Sequence, residues 1–312
     1  MPTRKSPRKG SLQFWPRKRA KKFLPRANWE AINSDKPLKG FICYKAGMTS
    51  VAVKDLTPHS MTKDKKIVVP ATILECPPMK ILSARFYKEG KVATEVLSEG
   101  LDKELKKILK LPKKTKKIED IKKEEYDDLK IIVYSIVKKT ELKKTPDIIE
   151  IGLNGTLEDK FKFIKENLGK EISILNFFEK GQLVDLRGLT KGKGFQGPVK
   201  RFGITLKSHK SEKGVRRPGS LGPWHPARVT FRAPMAGQLG MFTRVVYNNK
   251  ILDLGKGEKK IKNIKNYGEI NSDYIIVKGS VQGPSKRQLL LTQALRETKK
   301  QKKKEYEFIE LR

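Results

Sequence analysis

Short apolar runs, separated by turn residues, recur in the first and last thirds of the chain. The predicted strands are residues 40–53 (two short strands around a glycine-containing turn), 67–75, 81–87, 182–186, 244–254, 274–281 and 287–291. Within residues 244–254, Asn248 and Asn249 predict a hairpin turn. Six or more short strands with this turn punctuation predict a mainly β fold built on a small barrel.

The middle of the chain has a different pattern. Residues 101–123 combine apolar positions at helical spacing with many charges, and residues 129–137 and 148–153 predict strands. Residues 157–168 predict an amphipathic helix that begins after Thr156, a suitable N-cap, and carries its apolar side chains on one face. These elements predict an α+β insertion within the β core.

The first residues predict a basic arm. Its Lys and Arg residues alternate with prolines, which disfavour a helix, and the charge opposes collapse. Phe14, Trp15 and Phe23 are interleaved with this charge. Such aromatics suit stacking on bases or docking on a protein surface. A disordered tail with incidental aromatics is the alternative interpretation.

Residues 188–243 predict a long loop with a function of its own. The segment holds ten glycines and five prolines, and it lacks the apolar periodicity of a core element. Glycines let backbone approach a surface closely, basic residues neutralise phosphates, and aromatic rings stack on unpaired bases. An extended loop that becomes ordered against folded RNA accounts for all three features.

These patterns give a domain organisation. It comprises a basic N-terminal arm (1–36), a β core (37–87 and 173–295) interrupted by the long loop (188–243), an inserted α+β subdomain (88–172) and a basic C-terminal tail (296–312). The lysines of the tail could be a localisation signal by composition. In context we expect them to continue a helix from Thr292 and to contact phosphates.

The positive charge is concentrated in three segments. The 312 residues have a formal net charge of +36, from 70 Lys and Arg against 34 Asp and Glu. Residues 1–26 hold ten basic residues and no acid, residues 187–251 hold fourteen and only Glu212, and residues 284–304 hold eight and only Glu297. Such segments are typical of a protein that binds a polyanion through dedicated surfaces.

Other function classes are disfavoured. The longest apolar run, residues 129–137, is far shorter than the roughly 20 residues of a membrane span, and the basic N-terminus lacks the apolar region of a secretory signal. Cys43 and Cys76 are the only cysteines, which argues against a disulfide framework and a CxxC metal site. A reducing cytoplasmic setting is therefore expected.

Motifs for catalysis lack their structural context. Gly192, Gly194 and Gly197 match GxGxxG, but neither a hydrophobic helix nor a βαβ unit follows them, so a dinucleotide site is not predicted. The three histidines have no metal-ligand spacing, and the paired acids of the insertion are expected on a solvated face. We expect no enzyme activity, cofactor or metal.

Four stretches of the chain resemble one known family. They are GFICYKAGMT (40–49), DLRGLTKGKGFQG (185–197), GSLGPWHPARV (219–229) and AGQLG (236–240). In this order they resemble the L-three family of universal large-subunit ribosomal proteins, and the Trp-His-Pro-Ala-Arg stretch and the long insertion resemble its archaeal and eukaryotic branch. Without the long C-terminal extension usual in eukaryotes, the chain looks archaeal.

The resemblance implies a β-barrel of the translation-protein type, with the arm and loop entering between rRNA helices. It also implies early binding to large-subunit (23S-type) rRNA, contacts with neighbouring ribosomal proteins, and a loop tip near Trp224 and His225 that approaches the peptidyl-transferase region. One departure concerns residues 211–214, which read Ser-Glu-Lys-Gly where eukaryotic relatives have Thr-His-Arg-Gly. The role of that histidine is therefore not carried over.

We predict a structural rRNA-binding protein of the cytoplasmic ribosome that is neither membrane-bound nor a homo-oligomer. The candidate rRNA-binding residues are Arg4, Lys5, Arg8, Lys9, Trp15, Arg17, Lys18, Arg19, Lys191, Lys193, Phe195, Lys200, Arg201, His209, Lys210, Arg216, Arg217, Trp224, His225, Arg228, Arg232, Gln238, Arg244, Lys286 and Arg287. Two alternatives remain: a barrel-containing translation factor or nucleic-acid enzyme, which would need a nucleotide or metal site, and a general DNA- or RNA-binding protein.

Overall fold

A computed structural model describes residues 10–11, 14–112, 126–210, 213–257 and 261–312. The chain divides into two compact units. We call Met1–Lys22 together with Leu189–Thr243 the arm–loop unit, and Phe23–Gly188 together with Arg244–Arg312 the body.

The described residues form a mainly β structure, as the sequence predicts. The strands are β1 (Gly40–Asp55), β2 (Lys66–Glu75), β3 (Met79–Lys88), β4 (Lys91–Leu97), β5 (Asp128–Ser135), β6 (Ile148–Gly152), β7 (Leu183–Leu189), β8 (Phe195–Gln196), β9 (Gly237–Gln238), β10 (Thr243–Gly255), β11 (Tyr274–Lys278), β12 (Gln288–Gln293) and β13 (Tyr306–Leu311). The α-helices are α1 (Leu157–Asn167), α2 (Pro198–Phe202) and α3 (Lys299–Lys302). Short 3₁₀ helices cover Lys103–Lys107, Val137–Thr140 and Ile174–Asn176.

Six strands of the larger sheet pair in a closed ring. Their order is β1, β2, β11, β10, β7 and β12, and β12 pairs again with the first half of β1. Each strand of the ring therefore has a partner on both sides, which removes the exposed edges of an open sheet. The remaining strand, β13, pairs antiparallel with the second half of β1.

Two predicted turns are wrong. β1 is one strand of 16 residues with a bulge beside Gly47. A Cβ atom at Gly47 would lie 2.8 Å from the Ile264 side chain, so this glycine permits close packing and not a chain reversal. β10 likewise continues through Asn248, whose backbone has a φ of 55° and whose N–H donates to the Asp185 carboxylate at 2.9 Å.

The second sheet has the strand order β4, β3, β5, β6. The sequence assigned β3 to the β core, whereas the structure pairs it with β4 and β5. Helix α1 packs against this sheet and confirms the predicted helix: the Thr156 side chain accepts a hydrogen bond from the Asp159 N–H at 3.3 Å, and Phe161 and Ile164 are buried.

The end of the chain departs from the sequence prediction. Thr292 lies in β12, and α3 covers only four residues before β13 begins. The buried Lys250 explains this ending, because its ammonium donates to the carbonyls of Gln301 at 3.3 Å and Lys302 at 3.2 Å, and also to that of Lys304. The predicted helical segment 101–123 shows only the 3₁₀ turn, and its residues 113–125 lie outside the described residues.

Part of the predicted arm lies in the core of the body. Leu24, Trp29 and Ile32 are buried in its largest apolar cluster. Trp29 contacts both sheets, since a Cβ atom added at Gly40 of β1 or at Gly152 of β6 would lie within 3.0 Å of its side chain. These two glycines leave the space that the indole occupies. Within the described part of the chain, no helix has the length and apolar character needed to cross a membrane.

Candidate nucleic-acid interface

The described arm residues pack on the base of the loop. The Arg17 guanidinium lies 4.5 Å from the centre of the Phe202 ring, and the Trp15 and Phe231 rings are 5.3 Å apart. The Ala20 N–H donates to the Met241 carbonyl at 3.0 Å. Residues 14–22 are therefore an ordered part of the arm–loop unit and not a separate tail.

The base of the loop forms because its sequence favours one short helix. Pro198 suits the first position of α2, and Gly203 ends the helix in the left-handed region with a φ of 63°. Phe202 is buried, unlike Phe195 and Trp224 of the same loop. The short strands β8 and β9 pair beside this helix through Phe195 and Gln238.

Arg201 has a different position from the one expected of a phosphate ligand. It is only 9% exposed, and its guanidinium donates to the carbonyls of Met235 at 2.8 Å and Gln238 at 3.1 Å. Burial lowers the pKa of this guanidinium from its ordinary value. Arg201 therefore uses its donors to hold β9 against α2.

Gln238 is also turned towards its own backbone. Its amide nitrogen donates to the carbonyls of Leu239 and Gly240, each at 3.1 Å. Gly240 has a φ of 79°, and a Cβ atom there would lie 2.0 Å from the Lys191 carbonyl oxygen. Only glycine permits this close approach of the two loop ends.

Most other candidates in the arm–loop unit are exposed. They are Trp15, Lys18, Arg19, Lys191, Lys193, Phe195, Lys200, His209, Lys210, Arg216, Arg217, Trp224, His225, Arg228 and Arg232, while Arg17 is half-buried. The exposed fraction reaches 78% for Phe195 and 86% for Trp224. Exposed rings of this size leave their faces available for stacking on unpaired bases.

The loop tip forms an open groove. Its volume is about 370 Å³, and it is lined by Leu221, Gly222, Pro223, Trp224, Pro226, Ala227, Arg228 and Val229. Within it, the Arg228 N–H donates to the Pro226 carbonyl at 2.6 Å, and the Ser220 hydroxyl donates to the Gly222 carbonyl at 3.2 Å. A flat apolar wall with one adjacent guanidinium can accept a stacked base and its phosphate.

Three candidates belong to the body. Arg244 and Lys286 are exposed, and the Arg287 guanidinium lies 5.1 Å from the centre of the Phe23 ring. Burial lowers the pKa of Arg287. Lys45, which is not among the sequence candidates, stabilises the connection between β11 and β12 that contains Lys286. Its buried ammonium donates to the carbonyls of Val281 at 2.5 Å and Gly283 at 3.1 Å.

Some candidates cannot be placed. Arg4, Lys5, Arg8 and Lys9 lie outside the described residues, as do Ser211 and Glu212 of the departure from the eukaryotic pattern. Among the residues that the structure describes, no three His, Cys, Asp or Glu side chains are grouped so that they could hold a metal ion.

A family model described as "Ribosomal protein L3" matches residues 1–311. The chain belongs to the ribosomal protein L3 family. This confirms the resemblance drawn from the four sequence stretches. Because the L3 family is one of ribosomal proteins, it also confirms the expectation of a protein that is not an enzyme.

Three archaeal relatives within the L3 family carry the name "Large ribosomal subunit protein uL3". The one from Methanocaldococcus jannaschii is 42% identical over 306 residues, 93% of this chain and 91% of the relative. The one from Methanococcus aeolicus is 41% identical over 94% of this chain and 92% of the relative. The one from Archaeoglobus fulgidus is 39% identical over 94% and 93%, respectively.

Proposed function

We propose that the chain is a structural constituent of the large subunit of the cytoplasmic ribosome and binds large-subunit rRNA directly, chiefly through the arm–loop unit. One observation carries this proposal: residues 189–243 hold eleven Lys and Arg and the single acid Glu212, and most of these cations and the ring of Trp224 are exposed. The names of the relatives support the same function.

The physical basis of binding is counterion release combined with stacking. Each phosphate that a Lys or Arg neutralises lowers the logarithm of the binding constant by about 0.7 to 0.9 per tenfold increase in salt. This term does not select RNA over DNA. Selectivity comes from shape and from unpaired bases that stack on exposed aromatic rings, of which Trp224 and Phe195 are the best placed.

The finer proposal gives each part of the molecule a role. The closed strand ring of the body is the small barrel of the translation-protein type and fixes the position of the chain. The arm and loop enter between rRNA helices, the tip around Trp224 and His225 reaches toward the peptidyl-transferase region, and binding begins early in subunit assembly. Neighbouring ribosomal proteins are further partners, and the chain is neither membrane-bound nor a homo-oligomer.

The first experiment is co-sedimentation of the native protein with ribosomal subunits before and after a high-salt wash. We expect the protein to stay on the large subunit in equimolar amount, because many contacts must break together. Release by the wash would indicate a translation factor, and pelleting with any polynucleotide would indicate a general nucleic-acid-binding protein.

The position of the tip has its own test. We expect Trp224→Ala to leave incorporation into subunits intact and to change the chemical reactivity of rRNA near the peptidyl-transferase region. Phe195→Ala, at the base of the loop, is the matched control and should change reactivity elsewhere. Identical reactivity in subunits with Trp224 and with alanine would contradict the assignment of the tip.

A further inference from the structure

The only two cysteines of the chain are neighbours in the body. β1 and β2 pair antiparallel with Tyr44 opposite Glu75. One position further along, Cys43 of β1 lies opposite Cys76, which directly follows β2. Side chains at directly opposite positions of an antiparallel pair project from the same face of the sheet.

The backbone hydrogen bonds show that Cys43 and Cys76 are a non-hydrogen-bonded antiparallel pair. Lys45 donates its N–H to the Arg287 carbonyl, on the side of β12, and Cys43 has the same orientation because N–H groups two residues apart point the same way. The Cys76 N–H donates to the Asp273 carbonyl, away from β1, at 2.7 Å. Neither cysteine is thus hydrogen-bonded to the other strand through its backbone.

A non-hydrogen-bonded antiparallel pair has Cα atoms about 4.5 Å apart. A disulfide requires Cα atoms roughly 4.4 to 6.8 Å apart with side chains directed at each other. The position therefore satisfies the requirement for a bond without movement of the backbone.

The two thiols are free and completely buried. The Cys43 thiol donates to the Leu289 carbonyl and the Cys76 thiol to the Leu74 carbonyl, each at 3.7 Å. Burial raises the pKa of the Cys76 thiol, and the adjacent Cys43 thiol raises it further. Both effects suppress the reactive thiolate, so the folded dithiol is slow to react.

We propose that Cys43 and Cys76 form a cross-strand disulfide that joins β1 to the end of β2 when the free chain folds in the presence of a small disulfide such as oxidised glutathione. This modification site concerns the chain before it is assembled and is independent of how it binds RNA.

The chemistry takes two exchange steps. One cysteine thiolate attacks oxidised glutathione, so a protein–glutathione bond forms, the glutathione S–S bond breaks and one glutathione leaves as a thiol. The second cysteine thiolate then attacks the protein sulfur of that mixed disulfide and releases the second glutathione. Two protein thiols are oxidised, one glutathione disulfide is reduced to two thiols, and the two thiol protons remain with the glutathione.

Burial determines when these steps can happen. Glutathione cannot reach either sulfur in the closed ring, so the bond forms while the chain folds and β12 has not yet covered Cys43. Once formed, the bond closes a loop with 32 residues between the cysteines. Closing this loop costs entropy in the unfolded chain, whereas the folded chain already holds the two cysteines together. The equilibrium constant for disulfide formation should therefore be on the order of a few hundredfold larger in the folded chain than in the unfolded chain.

The experiment uses the purified full chain. It is unfolded in urea with reductant, freed of reductant, refolded in a glutathione redox buffer, quenched by alkylation and mapped by mass spectrometry. We expect a Cys43–Cys76 crosslink in refolded chain whose circular dichroism matches that of the reduced chain, and little crosslink in native chain held in the same buffer.

Equilibrium measurements at several glutathione ratios then give the effective concentration of one thiol for the other. It should be on the order of a few hundredfold higher in folded chain than in urea. The single variants Cys43→Ala and Cys76→Ala should give only the protein–glutathione mixed disulfide.

Three results would overturn the proposal: equal effective concentrations in the two states, a crosslinked chain without the native spectrum, or mixed disulfides alone in refolded wild-type chain.

Discussion

The body and the arm–loop unit are built by different means from one chain. The body buries a large apolar core under two sheets, including Trp29 and Phe41. The arm–loop unit has only a five-residue helix and two two-residue strands among its described residues, and it is held by contacts such as those of Arg201 and Arg17. Because most cations and several rings of the arm–loop unit are exposed, they add little to a core, and its shape depends on a few polar and stacking contacts.

The largest expected effect separates two tryptophans, one in each unit. Trp29→Ala should lower the free energy of unfolding by about 3 to 5 kcal/mol, because the buried indole packs against both sheets. Trp224→Ala should change it by less than about 0.5 kcal/mol, because this side chain is exposed. Urea denaturation followed by circular dichroism measures both free energies of unfolding. A loss of stability in Trp224→Ala as large as that in Trp29→Ala would contradict the difference between the two units.

The next effect tests what holds the arm–loop unit. Arg201→Ala should lower the local stability of the β8–β9 pair by about 1.5 to 3 kcal/mol, because two carbonyls lose a charged donor. Amide hydrogen exchange at Leu239, whose N–H donates to the Gly194 carbonyl at 2.8 Å, is the readout. The exposed neighbour Lys200→Ala is the control, and equal protection in both variants would contradict this role of Arg201.

A smaller effect in the body depends on pH. Asp55 is buried and accepts hydrogen bonds from the Thr57 N–H and from the Ser60 and Thr62 hydroxyls, and Thr57 and Thr62 hold its pKa well below the ordinary value of 3.8. A lowered carboxyl pKa adds stability above the unfolded value that is lost as the pH falls toward the folded value. Asp55→Asn should therefore lower the free energy of unfolding by about 1 kcal/mol at pH 7 and by less below pH 4.

Unfolding in urea at a series of pH values measures this difference. The exposed Asp64→Asn, in the same connection between β1 and β2, is the matched control and should show a much smaller dependence on pH. A constant difference between wild type and Asp55→Asn down to pH 2 would contradict the assignment.

The smallest effect concerns single cations on the two units. Arg228→Ala at the loop tip should reduce the steepness of the salt dependence of rRNA binding by about 0.7 to 0.9 log units, the contribution of one phosphate contact. Lys106→Ala, an exposed cation of the body, should leave it unchanged. Equal slopes for both variants would mean that RNA does not distinguish the two units by charge.

Much of the body could be predicted from its sequence, because strands that bury apolar residues leave a local pattern. Helix α1 and its N-cap Thr156 could be predicted, since Phe161, Ile164 and Leu168 recur at helical spacing after it. β13 was missed because Tyr306 and Phe308 alternate with charges at the end of a lysine-rich tail, and because its pairing with β1 is set by residues far away in the chain.

The candidate site was predicted by composition, and composition does not distinguish a cation that faces solvent from one turned inward. Lys200 and Arg201 are adjacent, yet the first is exposed and the second donates to backbone carbonyls. The difference depends on which side of α2 each residue occupies, and a helix of five residues leaves too little periodicity to reveal that side. The burial of Lys45 is equally non-local, since its acceptors lie more than 230 residues away in the chain.

The pairing of β1 with β12 has a consequence for the order of events during synthesis. Residues 40–44 emerge early from the translating ribosome, but their partners at 288–292 are made almost last. At about 5 to 20 residues per second, one edge of the first strand waits on the order of ten to fifty seconds for its partner. During that interval the nascent chain carries an apolar strand with a bare edge, and a chaperone that binds extended segments would find its target there.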